Sequence, residues 1–262
     1  MNTLRLYLRY IKMNFLAGLQ YKGWSLMVLQ VFMVVVTDPI SVIFLFSRFG
    51  DVGIWSATKI MLIYAMAITS FGLAETLCRG LDYFPWKMIR TGDFDRLLLR
   101  PQPLLVQAAG SYFHIHRIAR VVSGIVVIVW CLRDLKVEMS LLNIVTIIMA
   151  LVGGFLTYTG VFIFTSGIAF FTIQGLDWIY IFTNASYQVT RCPVDYLPNI
   201  LRNVFTFFVP ILVMSYYPAA AVCNWGQPYW KGLLALPTGL LFMTLSTLVW
   251  RFGVNHYQST GS

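Results

Sequence analysis

Apolar residues along this chain gather into long blocks, and most of the charge sits in the short runs between them. A helix needs roughly 20 mostly apolar residues to cross about 30 Å of hydrocarbon. Residues 24–46, 57–78, 111–132, 141–164 and 232–250 meet that requirement and predict spanning helices. Arg117 and Arg120 lie in the first third of the third block, where their long stems allow the guanidinium groups to snorkel to an interface. Gly153, Gly154 and Gly160 in the fourth block let a neighbouring helix come close. Between Phe170 and Cys223 the pattern leaves two choices for one further span. Residues 175–190 are apolar but short and interrupted by Asp177 and Asn184, whereas 201–222 are longer and contain Pro210 and Pro218. If the first spans, 193–217 form a proline-broken element that dips in from the outer face; if the second spans, 174–200 form a cytoplasmic loop.

Residues 3–22 interleave cations with Leu, Tyr, Ile and Phe, and Arg5, Arg9 and Lys12 fall on one helical face. That predicts an amphipathic helix lying in the interface with its cations toward lipid phosphates.

One charged run of any length does not span: residues 80–101. Pro85 suits the first position of a helix, Gly92 the left-handed residue that ends it, and Asp93 the cap of a second helix, which Pro101 stops. The expected product is a compact pair of short helices whose apolar side (Phe84, Ile89, Phe94, Leu97, Leu98) docks on something.

The chain of 262 residues is 58% hydrophobic and only 11% charged. A soluble domain carries about a quarter charged residues, so this one has too few to clothe a surface in water. The fold class predicted is an all-α polytopic membrane protein, one domain over 1–262 with six spans. The net charge of +9 invites a nucleic-acid reading. The cations stand at the ends of apolar blocks, which is how membrane topology is written, so no nucleic-acid partner is expected. Twelve of the 19 basic residues (Arg5, Arg9, Lys12, Lys22, Arg79, Lys87, Arg90, Arg96, Arg100, Arg117, Arg120, Arg251) fall on one side, which places both termini in the cytoplasm. Cys78, Cys131, Cys192 and Cys223 form no CxxC pair and read as bystander thiols.

Asp38, beside Pro39 in the first span, is a candidate for the translocation path, because an intramembrane carboxylate is costly without a role or a partner; Arg117 and Arg120 join it. Glu75 is placed to pair with Arg79 one turn on. His114 and His116 would point about 200° apart on a helix, so they do not share an ion, and no metal site is expected. The sequence contains neither a P-loop nor a G-x-S-x-G elbow.

Three stretches resemble the type-2 ATP-binding-cassette (ABC) exporter permeases, in particular the short family of about 260 residues. They are Gly80-Leu-Asp82-x-Phe84 with Ile89-Arg90-x-Gly92-x-Phe94-Asp95-x-Leu97-Leu98-Leu99-Arg100-Pro101; Cys192-Pro193 through Pro198 to Phe207-x-x-Pro210 and Tyr216-Tyr217-Pro218-Ala219; and the tail Trp250-Arg251-x-Gly253-x-x-x-Tyr257. The family usually has an aromatic residue where this chain has Cys192. The resemblance implies an exporter permease in the cytoplasmic (inner) membrane of a bacterium, paired with a second permease and surrounded by lipid. ATP and Mg would be bound by partner ABC ATPase subunits, with no cofactor on this chain. It further implies a coupling loop over 80–101, with Asp82, Phe84, Ile89, Arg90, Gly92, Asp95, Leu98, Arg100 and Pro101 as contact residues. Residues 175–191 become the fifth span and 193–217 the re-entrant outer gate, with Pro193, Pro198, Phe207 and Pro210. A polytopic membrane enzyme or a non-pumping subunit is the alternative.

Overall fold

The computed structural model describes residues 3–20, 23–172 and 186–258, and the regular elements among them are all helices. The long ones are α1 (Thr3–Gln20), α2 (Trp24–Phe49), α3 (Ala57–Phe84), α4 (Ile118–Asp134), α5 (Leu141–Ile168) and α6 (Ala235–Asn255). Among the described residues, four helices are long and apolar enough to cross a membrane, or five if one bent pair counts as a span. Helix α3 is the central post, buried along almost its whole length, with α2, α4 and α5 packed around it. Helix α1 lies across one end of the bundle, where the Tyr7 hydroxyl donates to the Leu77 carbonyl and Asn14 to that of Gly110.

Helices α5 and α6 run parallel. Gly153 faces Ala235 and Gly239, Gly160 faces Phe242, and Gly167 faces Trp250. A Cβ on Gly153 would clash with the Ala235 carbonyl oxygen, so the two backbones touch where glycine removes the side chain.

The helix in the third apolar block is shorter than the block and is not among the four long enough to cross a membrane. Residues 111–114 are irregular, Ile115–Arg117 form a 3-10 turn, and α4 itself has 17 residues. Asn14 takes the Gly110 and Ser111 carbonyls that a continuous helix would have used itself.

Most of the expected fifth span, 175–190, falls outside the described residues. The described residues before and after it pack as follows. Phe170 packs on Phe84, Phe94 and Trp250 at the end of the bundle that carries the 85–101 loop. Beyond the gap the chain climbs α3: Tyr187 stacks on Phe71, Arg191 reaches Tyr64, and Asp195 accepts from the Trp55 indole. There follows the bent pair, Asn199–Phe208 and Ile211–Val222, at 71°. Pro193, Pro198 and Pro210 each stand immediately before a short helix, since proline starts a helix but cannot continue one. The pair ends near where it began, with the Trp225 ring edge-on to Trp55 at 6.0 Å.

Helix α1 and the segment after α6 both reach the loop. Arg100 donates to the Tyr10 hydroxyl, and Tyr257 packs edge-on against Phe94.

Candidate coupling face and charge clusters

The 85–101 loop is an extension of α3. Pro85 does not open a new helix: α3 passes straight into a π-helical turn, Pro85–Ile89. Gly92 then adopts φ +75°, where a side chain would be strained, and the chain reverses into the short helix Phe94–Leu98. Asp93 makes no cap. Its carboxylate accepts from Thr91 Oγ1 at 3.0 Å and pairs with Arg96 at 3.2 Å.

Most of the loop's apolar side is consumed by the chain itself. Phe84 and Phe94 are fully buried, edge-to-face at 5.4 Å, in a cluster with Phe170, Trp250 and Tyr257. Ile89 is 3% exposed and Leu97 is buried too. Asp82 turns inward to Arg79 at 3.0 Å, and Gly92 is buried. Phe84, Ile89 and Asp82 are thus engaged by the chain itself: the two apolar side chains gain about 1.5–3 kcal/mol each by burial, and the Asp82 carboxylate is held by Arg79. What remains outside is Leu98 at 45% exposure and Leu99 at 85%, with Lys87, Arg90, Arg96, Arg100 and Pro101 exposed in the same loop. Asp95 is half-buried.

About three helical turns above the loop, Glu75 is the hub of a buried ion cluster. Its carboxylate, 2% exposed, accepts from Arg79 Nη1 at 2.7 Å and from Arg120 Nη1, with Arg117 Nη1 at 3.5 Å. Arg79 also pairs with Asp82 and lies over the Tyr83 ring. The i+4 pair of Glu75 and Arg79 was visible in the sequence; the other two arginines were not. Arg117 and Arg120 turn inward to the buried Glu75 carboxylate on α3. Three guanidinium groups against two carboxylates leave the cluster one positive charge in excess.

The second cluster lies toward the Trp55 end. Asp38 pairs with Arg191 at 2.6 Å and accepts from the Tyr64 hydroxyl, which in turn accepts from Arg191 at 3.0 Å. The Arg191 guanidinium also lies 4.6 Å from the Tyr64 ring centre. Asp38 thus has a partner 153 positions away (191 − 38), which no local pattern announces. A cavity of about 20 Å³, the size of one water, lies between α2, α3 and α4 and is lined by both Asp38 and Arg120.

Phe207 is 82% exposed on the bent pair, next to the break at Pro210. His114 and His116 meet edge-on at 5.2 Å, because their segment is not α-helical as expected and the rings do not diverge. Among the described residues no group of three or more His, Cys, Asp or Glu could hold a metal ion.

Residues 32–261 match the model of a family described as ABC-2 family transporter protein. That range takes in the loop, both charge clusters and the bent pair. No curated protein and no solved structure matches.

Proposed function

The chain belongs to the ABC-2 transporter family and is a multi-pass membrane permease, and we propose that it is one half of a dimeric exporter driven by separate ATPase subunits. The observation that carries this reading is the pair Leu98 and Leu99, left in water on a loop that otherwise buries its apolar side chains. Exposed leucines flanked by cations fit a groove with an apolar floor and an acidic rim on the ATPase. The chain has no P-loop, so ATP and Mg belong to that partner.

The coupling route is α3. It runs directly into the loop, carries the Glu75 cluster and, across a kink at Cys78 (φ −120°, ψ 20°), leads to Tyr64, a path of about 30 Å of helix. Closure of the ATPases on ATP would pull the loop, and α3 would pass the movement to the Asp38–Tyr64–Arg191 contact. In this scheme the loop end, with both termini, faces the cytoplasm, and the bent pair is a re-entrant outer gate. Support comes from the return of the chain to Trp55 and from the rule that backbone freed at membrane depth lines a cavity. A cross-link tests the docking face. Leu99→Cys, in a chain with its native cysteines replaced, should join the ATPase through a short bifunctional maleimide, and Tyr196→Cys should not. Equal cross-linking at both positions, or none at Leu99→Cys, contradicts the proposal.

A further inference from the structure

Beyond the transport reading, we propose that the loop end of the bundle holds a site for one anionic phospholipid of the surrounding bilayer, seated along α6. Two cavities adjoin there. The outer one, about 370 Å³, is lined by Thr247, Trp250, Arg251 and Asn255 of α6 and by the short helix Leu104–Gly110 through Leu104 and Leu105. The inner one, about 390 Å³, has walls from α1, α3, α5 and α6, including Tyr7, Leu81, Ile163 and Met243, and Leu105 lines both. Each falls in the range of about 300–1,000 Å³ typical of ligand pockets.

Polarity changes in one direction along this cleft. Residues 255, 251, 247 and 243 of α6 are each one turn apart and so share a face. They read Asn, Arg, Thr, Met from the helix end inward, over about 18 Å. An amphiphile has the same gradient. Its phosphate would lie against Arg251 and Asn255, and its acyl chain would enter the inner cavity, whose surface is almost wholly apolar.

Charge selects the class. Arg251 makes no ion pair with a carboxylate among the described residues. It is exposed near the end of a long apolar helix, the level at which basic side chains meet lipid headgroups. A lone cation at a headgroup-level mouth favours a net negative lipid over a zwitterionic one.

Native mass spectrometry of the full-length chain, titrated with phosphatidylglycerol or phosphatidylcholine of equal chain length, tests the site. One phosphatidylglycerol per chain should be retained at least five-fold better than phosphatidylcholine. Arg251→Gln should reduce it to the phosphatidylcholine level, and Val106→Trp, which fills the inner cavity, should remove both. A second readout leaves the cleft intact: Cys78 lines the inner cavity, so in a Cys192→Ser, Cys223→Ser chain phosphatidylglycerol should slow its reaction with maleimide. Equal retention of the two lipids, retention unchanged by both variants, or no protection of Cys78 would each overturn the site. None of these measurements involves the ATPase, so their failure would leave the permease reading standing.

Discussion

Trp55 Nε1 donates to the Asp195 carboxylate at 2.9 Å, and the Trp225 ring stands edge-on to the same indole. One side chain thus meets both the entry and the exit of the bent pair. A span would separate those two points by the thickness of the bilayer. Membrane-impermeant maleimide should therefore label Tyr196→Cys and Trp230→Cys from one side, and Asp95→Cys from the other. Labelling of Tyr196→Cys and Trp230→Cys from opposite sides would make the pair a broken span.

Glu75 compensates three guanidinium groups at once, so its loss leaves uncompensated charge inside the bundle. Glu75→Ala is expected to cost about 3–5 kcal/mol, the usual penalty for breaking a buried pair. Arg117→Met should cost much less, since that arginine is farther from the carboxylate and a quarter exposed. Thermal unfolding of the purified chain checks the order. If Arg117→Met proves the more damaging, the hub has been misplaced.

The contact between Asp38 and Arg191 predicts non-additive substitutions. Asp38→Asn and Arg191→Gln should each destabilise the protein, and the double variant should recover about 0.5–3 kcal/mol of the summed loss. Strict additivity in the same unfolding assay would mean that the two side chains do not share an interaction.

Gly92 sets the reversal that brings Leu98 and Leu99 to the surface. A side chain at φ +75° costs about 1–2 kcal/mol, least for asparagine. Retention of the ATPase should fall in the order Gly92→Asn, Gly92→Ala, Gly92→Val. A valine variant that matched the wild type would remove the turn from the account.

What the sequence could and could not disclose follows from distance along the chain. Gly92 and Pro210 were legible because a left-handed residue and a missing N–H act on their own backbone. The pair of Glu75 and Arg79 was legible at one helical turn. Arg120 and Glu75, 45 positions apart, and Arg191 and Asp38 were not, because only the packing of separate helices brings them together. The same limit applies to the loop. Its short helices carry more apolar residues than one face can show, and the sequence does not say which side its own helix ends will cover. Phe84 and Phe94 went inward because Phe170, Trp250 and Tyr257 converge beneath the loop, whereas Leu99 stayed out.

The central claim is that an ATPase docks on the surface of Leu98 and Leu99, and co-purification tests it most directly. Leu98→Asp with Leu99→Asp would place charge in a desolvated contact while leaving the buried aromatic anchors untouched. The permease should still insert and run as a single species on gel filtration, but the ATPase should no longer accompany it. Lys87→Ala, which removes one exposed charge worth about 0–1 kcal/mol, should retain the partner. A doubly substituted chain that still carries its ATPase, beside a Lys87→Ala chain that has lost it, would contradict the assignment.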